Sequence, residues 1–297
     1  MMQKHMEVSS ASNIKTVGIL VLWSDSYFDK AVNGFLDLLF SVDKSALAIF
    51  VKNNHDLPDV NSKNAITLNG SNSYAEFSGW QEGIEEVFRL NLKPKQVIFA
   101  NDTFCNHHPW NWFRRRIYAD TFKKQNKSAY PSIAGWKSSS KEPFFFEGIE
   151  IDSWISTFLF SLNDEALRAI KWEICPTQDW ADQYILGGVD ENFFFSSKMD
   201  PRLVHHLKLW LFNTKEMFHW YRAEKLNEKN TEQMKRKSNA ILGEKKLSSL
   251  CEVKDVKKYH FQDHLIYTLK NPGKIIKNTL FEYKSIGLYR KCTKNYF

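Results

Sequence analysis

Cysteine is scarce and scattered in this chain. Cys105, Cys175, Cys251 and Cys292 form no Cys-x-x-Cys pair, which argues against a metal cluster or a disulfide framework and fits a reducing cytoplasm. No apolar run reaches the roughly 18 residues that a membrane-crossing helix needs. The first residues, "MMQKHMEVSSASNIKTVG", lack the apolar centre of an export signal. Internal repeats and low-complexity tracts are missing too. So are RNP, KH and zinc-finger patterns, the usual sequence marks of nucleic-acid binding.

What is present describes a soluble α/β protein with an uneven charge. The chain has 297 residues, 43% hydrophobic and 25% charged, enough for a substantial core. Aromatics are plentiful at 15%, with 23 Phe, 11 Tyr and 10 Trp. They supply core mass and flat faces for ligands. The net charge of +7 divides sharply: residues 1–221 hold 23 Lys/Arg against 26 Asp/Glu, and residues 222–297 hold 18 against 8. Two domains are therefore expected, a catalytic domain over 1–221 and a basic, amphipathic helical extension over 222–297. Because the folded part carries no excess of positive charge, nucleic acid is not expected as a partner.

From Thr16 the pattern alternates. "TVGILVLWS" (16–24), "ALAIFVKN" (46–53), "AITLN" (65–69) and "QVIFA" (96–100) read as strands, with helices over 25–42 and 74–91. Near-continuous apolar strands separated by helices imply a mostly parallel sheet covered on both faces. Ligands of such sheets bind beyond the C-terminal strand ends, so the loops after Trp23, Val51, Asn69 and Ala100 should line one pocket. Further on, "SSSKEP" (138–143) reads as a loop, a strand is expected over about 155–161, and Asn163 should cap a helix. Asp200 followed by Pro201 marks another helix start. "EKNTEQMKRKSN" reads as a linker or mobile helix.

At the mouth of the fourth strand stands Asn101-Asp102-Thr103. A carboxylate there either caps a turn or serves as a hard oxygen ligand for a cation beside a departing diphosphate. Asp25, just past the first strand, either accepts from a nucleoside or caps the next helix. His107 and His108 are neighbours that point apart on a regular element and are poor co-ligands. They read as a partly exposed loop, and Trp110 and Trp112 as a possible stacking wall. Arg114, Arg115 and Arg116 are a solvated face or a phosphate contact. In the tail, Leu265, Ile266 and Leu269, then Ile275, Ile276, Leu280 and Tyr283, fall at helical spacing among lysines. That pattern suits either an anionic bilayer surface or an appendage packed on the domain.

Four stretches together resemble a known family: "VGILVLWSD", "LNGSNSYAEFSGWQEGI", "VIFANDTF" and "EIDSWISTFLFSLNDEAL". In order and spacing they are similar to the GT-A class of glycosyltransferases, in particular bacterial enzymes of O-antigen, capsule and rhamnan-type polysaccharide assembly. The resemblance covers residues 16 to about 169. It implies a GT-A-like fold and transfer of a sugar from a nucleotide-diphosphate donor, a UDP-sugar, to a lipid-linked or growing bacterial polysaccharide, with the protein at the inner face of the cytoplasmic membrane. It further implies a donor site of Asp25, Asn69, Ser71, Asn72, Glu76, Trp80, Asn101 and Asp102. Asp102 aligns with the Asp-x-Asp motif and would hold Mn²⁺ or Mg²⁺, although the triplet has one carboxylate where the motif has two. Trp80 reads equally as core. The base for the acceptor hydroxyl is expected among Asp190 and Glu191, in "GGVDENFF" (similar to the family's "GfdErFF" turn), and Asp152, with Asp179 and Asp200 as further possibilities. A retaining reaction would need no such base. A non-catalytic scaffold of the same fold is the alternative.

Overall fold

Four parallel strands form one half of a seven-stranded sheet. They are β1 (Thr16–Leu22), β2 (Leu47–Lys52), β3 (Ala65–Asn69) and β4 (Gln96–Asn101). The computed structural model describes residues 14–212, 220 and 222–256. Every residue of β1 and β2 is buried, which is why both read as unbroken apolar runs rather than alternating ones. The sheet order is β3-β2-β1-β4-β6-β5-β7, where β5 is Ser132–Phe146, β6 Ile149–Asn163 and β7 Glu252–Asp255. β6 lies antiparallel between β4 and β5, and β7 runs parallel to β5.

The connection from β1 leads outward to β2 and β3 and then returns to β4 on the other side of β1. The order therefore reverses between β1 and β4, which makes their C-terminal ends a topological switch point. Helices α1 (Phe28–Val42) and α2 (Ala75–Arg89) make these crossovers. Helix α3 (Trp112–Gln125) follows β4. It begins where Asn111 accepts a hydrogen bond from the Arg114 amide, and the three arginines lie in its first two turns.

The remaining helices are α4 (Asp164–Ala169), α5 (Gln178–Asp182), α6 (Pro201–Leu211) and α7 (Thr231–Ser249). Asn163 caps α4 and Asp200 caps α6 through the amides of Ala166 and Arg202, as their sequences predict. One apolar cluster surrounds β1, β4 and α2. A second, with Phe144, Trp154, Phe194, Leu203, Leu207 and Leu242 among its members, joins the long β5–β6 hairpin to α6 and α7.

Two expectations need correction. The stretch 138–143 is strand rather than loop, although the β5–β6 register shifts between Ser139 and Phe144. The stretch after 222 is not a separate extension throughout: α7 packs against β6, β7 pairs with β5 from Ser132↔Glu252 to Gly135↔Asp255, and the chain divides at residue 256 rather than 221. The expected tail helices around 265–283 lie outside the described residues. Among those described, no helix is long and apolar enough to cross a membrane.

Candidate functional site

The four parallel strands deliver their following loops to one edge, where backbone and side chains interlock. Asn53 donates its amide to the carbonyl of Leu22, Gly70 to that of Lys52, and Asp102 to that of Val21, at 2.9, 2.9 and 3.1 Å. Asn54 donates Nδ2 to the Trp23 carbonyl, and His55 Nε2 lies 2.8 Å from the Gly70 carbonyl. The convergence expected of these loops is thus present.

Asp102 sits at its centre, 5% exposed. Its Oδ2 accepts from the amides of Trp23 at 2.9 Å and Ser24 at 2.7 Å. Its own carbonyl accepts from Asn106 Nδ2 at 2.8 Å. The carboxylate therefore clamps the end of β1 to the end of β4. Burial raises its pKa above the usual carboxylate value and Glu76 adds to the rise; the two amide bonds and nearby His107 oppose it. Asn101 turns inward on itself, its Oδ1 accepting from the Thr103 amide at 3.2 Å, an Asx turn.

The residues present do not fit a cation held by the protein. One oxygen of Asp102 is committed to two amides, and among the described residues no three His, Cys, Asp or Glu side chains come together to hold a metal ion. The Mn²⁺ or Mg²⁺ expectation thus lacks its ligand set, and the metal role of Asp102 gives way to a structural one.

Several expected donor contacts resolve into packing. Trp80 is fully buried and donates Nε1 to the Ala100 carbonyl at 2.9 Å. Its ring meets Phe77, Phe99 and Phe160 edge-on, so it is core and not a ligand contact. A Cβ on Gly70 would come within 2.4 Å of Asn53 Oδ1, and one on Gly79 within 2.7 Å of Val21 Cγ2. These glycines admit neighbouring protein atoms. Ser71 gives its amide to Glu82 at 2.9 Å, and Asn72, at φ 54°, accepts from Asn53 Nδ2 at 3.3 Å. Asn69 and Asp25 remain exposed at the edge, and Asp25 caps neither the 3-10 turn at 25–27 nor α1. Glu76 is half-buried in the first turn of α2.

The expected bases are placed elsewhere. Asp190 and Glu191 belong to a loop closed by the Ile185–Phe195 bridge, where Asp190 Oδ1 accepts from the Asn192 amide at 2.8 Å. That loop is anchored in the second apolar cluster through Phe194 and Phe195. Asp152 is exposed on β6. It lies seven positions before Leu159, the partner of Ala100, which is about 20 Å along the strand. Asp200 holds Arg202 in a two-oxygen pair, and this drives its pKa far down. Asp179 lies in the first turn of α5. Of these five acids, Asp179 acts electrostatically on Tyr74 in the loop after β3; among the described residues no hydrogen bond ties the other four to the switch-point loops.

The fold brings together a pair that the sequence does not announce. Tyr27 Oη and His107 Nε2 lie 2.9 Å apart, with the rings edge-on at a centroid distance of 5.4 Å. Both follow the switch-point strands, and the Asp102 carboxylate interacts with the imidazole electrostatically. Burial depresses the His107 pKa, Asp102 pulls it up and Arg222 pushes it down. The adjacent His108 stacks on Phe158 at 3.8 Å; burial, then Arg114 and His107, lower its pKa to about 4. Arg114 lies over the Trp136 ring at 4.8 Å. Trp110 packs edge-on against Phe104 rather than forming an open wall.

A cavity of about 530 Å³ lies away from this edge, at the β5–β6 hairpin and the start of α6, lined by Phe145, Glu147, Lys198, Asp200 and Arg202 among others.

A scan against protein families finds no match, and neither does a comparison with curated proteins. Among solved structures, the chain is similar to the bifunctional IspDF of Campylobacter jejuni over 55% of its own length and 45% of that chain, at 10% identity and a TM-score of 0.33. It thus spans less than half of that protein.

Proposed function

We propose that the chain is a glycosyltransferase of GT-A type, which moves a sugar from a nucleotide-diphosphate donor, a UDP-sugar, to a lipid-linked or growing bacterial surface polysaccharide. The observation that carries this reading is the convergence of the β1, β2, β3 and β4 loops over one switch point. Crevices of this kind take nucleotides. Exposed Asp25 and Asn69, half-buried Asn72 and Glu76, and the polar atoms of Ser24 and Ser71 flank it, a set suited to a base and a ribose. Contact with an anionic bilayer belongs to the same proposal, through the basic residues beyond 256.

A thermal-shift panel tests it. Nucleotides and nucleotide sugars are added to the full chain with and without Mn²⁺, and turnover is followed as UDP release. Stabilisation by UDP with turnover of one UDP-sugar supports the reading. A response to no nucleotide at all defeats it. One observation favours a second reading, a non-catalytic scaffold of the same fold: Asp102 is spent on the backbone. Stabilisation by UDP without turnover of any donor selects the scaffold.

A further inference from the structure

We propose that Tyr27 and His107 form the proton relay that deprotonates the acceptor hydroxyl, a role that replaces the acids Asp190, Glu191 and Asp152. The inference rests on the transferase reading above and specifies the base for that reaction.

The argument is geometric. Tyr27 follows β1 and His107 follows β4, so the two strands that define the switch point each supply one partner of a 2.9 Å hydrogen bond between residues 80 positions apart. Tyr27 is half-exposed, and its hydroxyl meets His107 at the surface of the switch-point edge. A base must come within hydrogen-bond reach of the proton it removes, and the acids at 190, 191 and 152 are built on other parts of the fold. Besides Tyr27, the groups facing His107 among the described residues include Asp102 from the end of β4, Arg222 from the segment after α6, and neighbouring His108. Glu76 faces Asp102 from α2. Partial desolvation lowers the His107 pKa below its ordinary value, which favours the neutral form that a proton acceptor needs.

The step balances without a cofactor. The acceptor oxygen attacks the anomeric carbon, and the bond from that carbon to the diphosphate oxygen breaks, its electron pair leaving with the nucleoside diphosphate. The acceptor's proton passes to the Tyr27 oxygen as the Tyr27 proton passes to His107 Nε2. Asp102 stabilises the imidazolium through space, and the imidazolium later returns its proton to solvent.

The test follows UDP release from UDP-glucose, UDP-galactose and UDP-N-acetylglucosamine, with water or added saccharide as acceptor, in the wild type, His107→Gln and Tyr27→Phe. The expected result for His107→Gln is a fall in kcat of about 100-fold or more, in the range of lost general-base catalysis, with the donor KM unchanged. Tyr27→Phe, which removes a single oxygen, should lower kcat at least tenfold and abolish the acid limb of the pH–kcat profile. Unfolding midpoints of both variants check folding. Wild-type turnover with both variants within threefold of it overturns the relay alone and leaves the transferase reading standing. A wild type that consumes no donor and is stabilised by no nucleotide overturns both.

Discussion

Ser24 donates its amide to Asp102 Oδ2 across 2.7 Å, although 78 residues separate them in sequence. With the parallel bond from Trp23, this makes Asp102 the clasp between β1 and β4. Asp102→Ala leaves two amides without their acceptor and should lower stability by about 2 kcal/mol, the scale for hydrogen bonds to a charged group. Asp102→Asn keeps an acceptor oxygen. It also removes a charge that burial disfavours: with the folded pKa raised, the carboxylate's contribution to stability is full at low pH and lost as pH rises through the folded value. The Asn variant should therefore stay within about 1 kcal/mol of wild type at neutral pH. Urea unfolding of the three proteins checks the order. A larger loss in Asn than in Ala would contradict the clasp.

Gly79 sits on the face of α2 that lies against β1, and a Cβ there would come within 2.7 Å of Val21 Cγ2 and 3.2 Å of Asn53 Oδ1. Gly79→Ala should cost about 1–3 kcal/mol, typical of overpacking, while the Kd for UDP changes less than threefold after correction for the unfolded fraction. A large affinity loss at unchanged stability would place Gly79 at the ligand site.

The chain also predicts where it can be cut. β7 covers β5 over Ser132–Gly135, and α7 contributes Met234, Ile241 and Leu242 to the second apolar cluster. Ending the chain at 230 removes both, baring a strand edge and an apolar face. That fragment should precipitate or lose its cooperative unfolding transition, whereas one ending at 256 should unfold in a single step. A soluble, cooperative 1–230 fragment would show that α7 and β7 are dispensable.

The fully buried half of the sheet was legible because burial on both faces leaves continuous apolar runs, as in Val17–Leu22 and Leu47–Val51. The outer half was not. Beyond Gly135 the pairing of β5 with β7 ends, so Ser138, Ser139 and Pro143 sit where no strand among the described residues pairs with that edge, a position that tolerates proline. They read as a loop. Helix α7 was legible only as a linker or mobile helix at its start, for the opposite reason: its buried residues include Ser238, Asn239, Lys245 and Ser248, which erases the apolar period. At the site, the position of Asp102 was visible from its strand. Its partners were not, because the Trp23 and Ser24 amides carry no side-chain signature. Nor was the Tyr27–His107 pair, whose members only the fold brings within reach.

Lys245 offers the sharpest test of that hidden polarity. Its side chain is fully buried in α7, with Nζ 3.4 Å from the centre of the Trp154 ring and 3.1 Å from Glu244 Oε1. His206 from α6 faces the same ring at 5.5 Å, and Lys237 and His205 add positive charge nearby. Burial outweighs Glu244 and lowers the Lys245 pKa from 10.5 to about 8. The folded state therefore sheds this proton first. Between pH 8 and 10.5 the unfolded chain binds more protons, so this contribution is full above the unfolded value and is lost as pH falls to about 8. The difference in unfolding free energy between wild type and Lys245→Met should change by about 3 kcal/mol across that window, at 1.36 kcal/mol per unit of pKa. Urea titrations at pH 7.5 and 10 read it directly, and taking the difference cancels the other titrating side chains. His206 acts in the same sense at lower pH: its pKa falls to about 4, first through burial, so stability should drop as pH falls from 6.5 toward 4, and less so in His206→Phe. A wild-type-minus-Met difference that is flat from pH 7.5 to 10 would mean that the folded state holds the Lys245 proton as firmly as the unfolded chain does, so that burial does not lower its pKa.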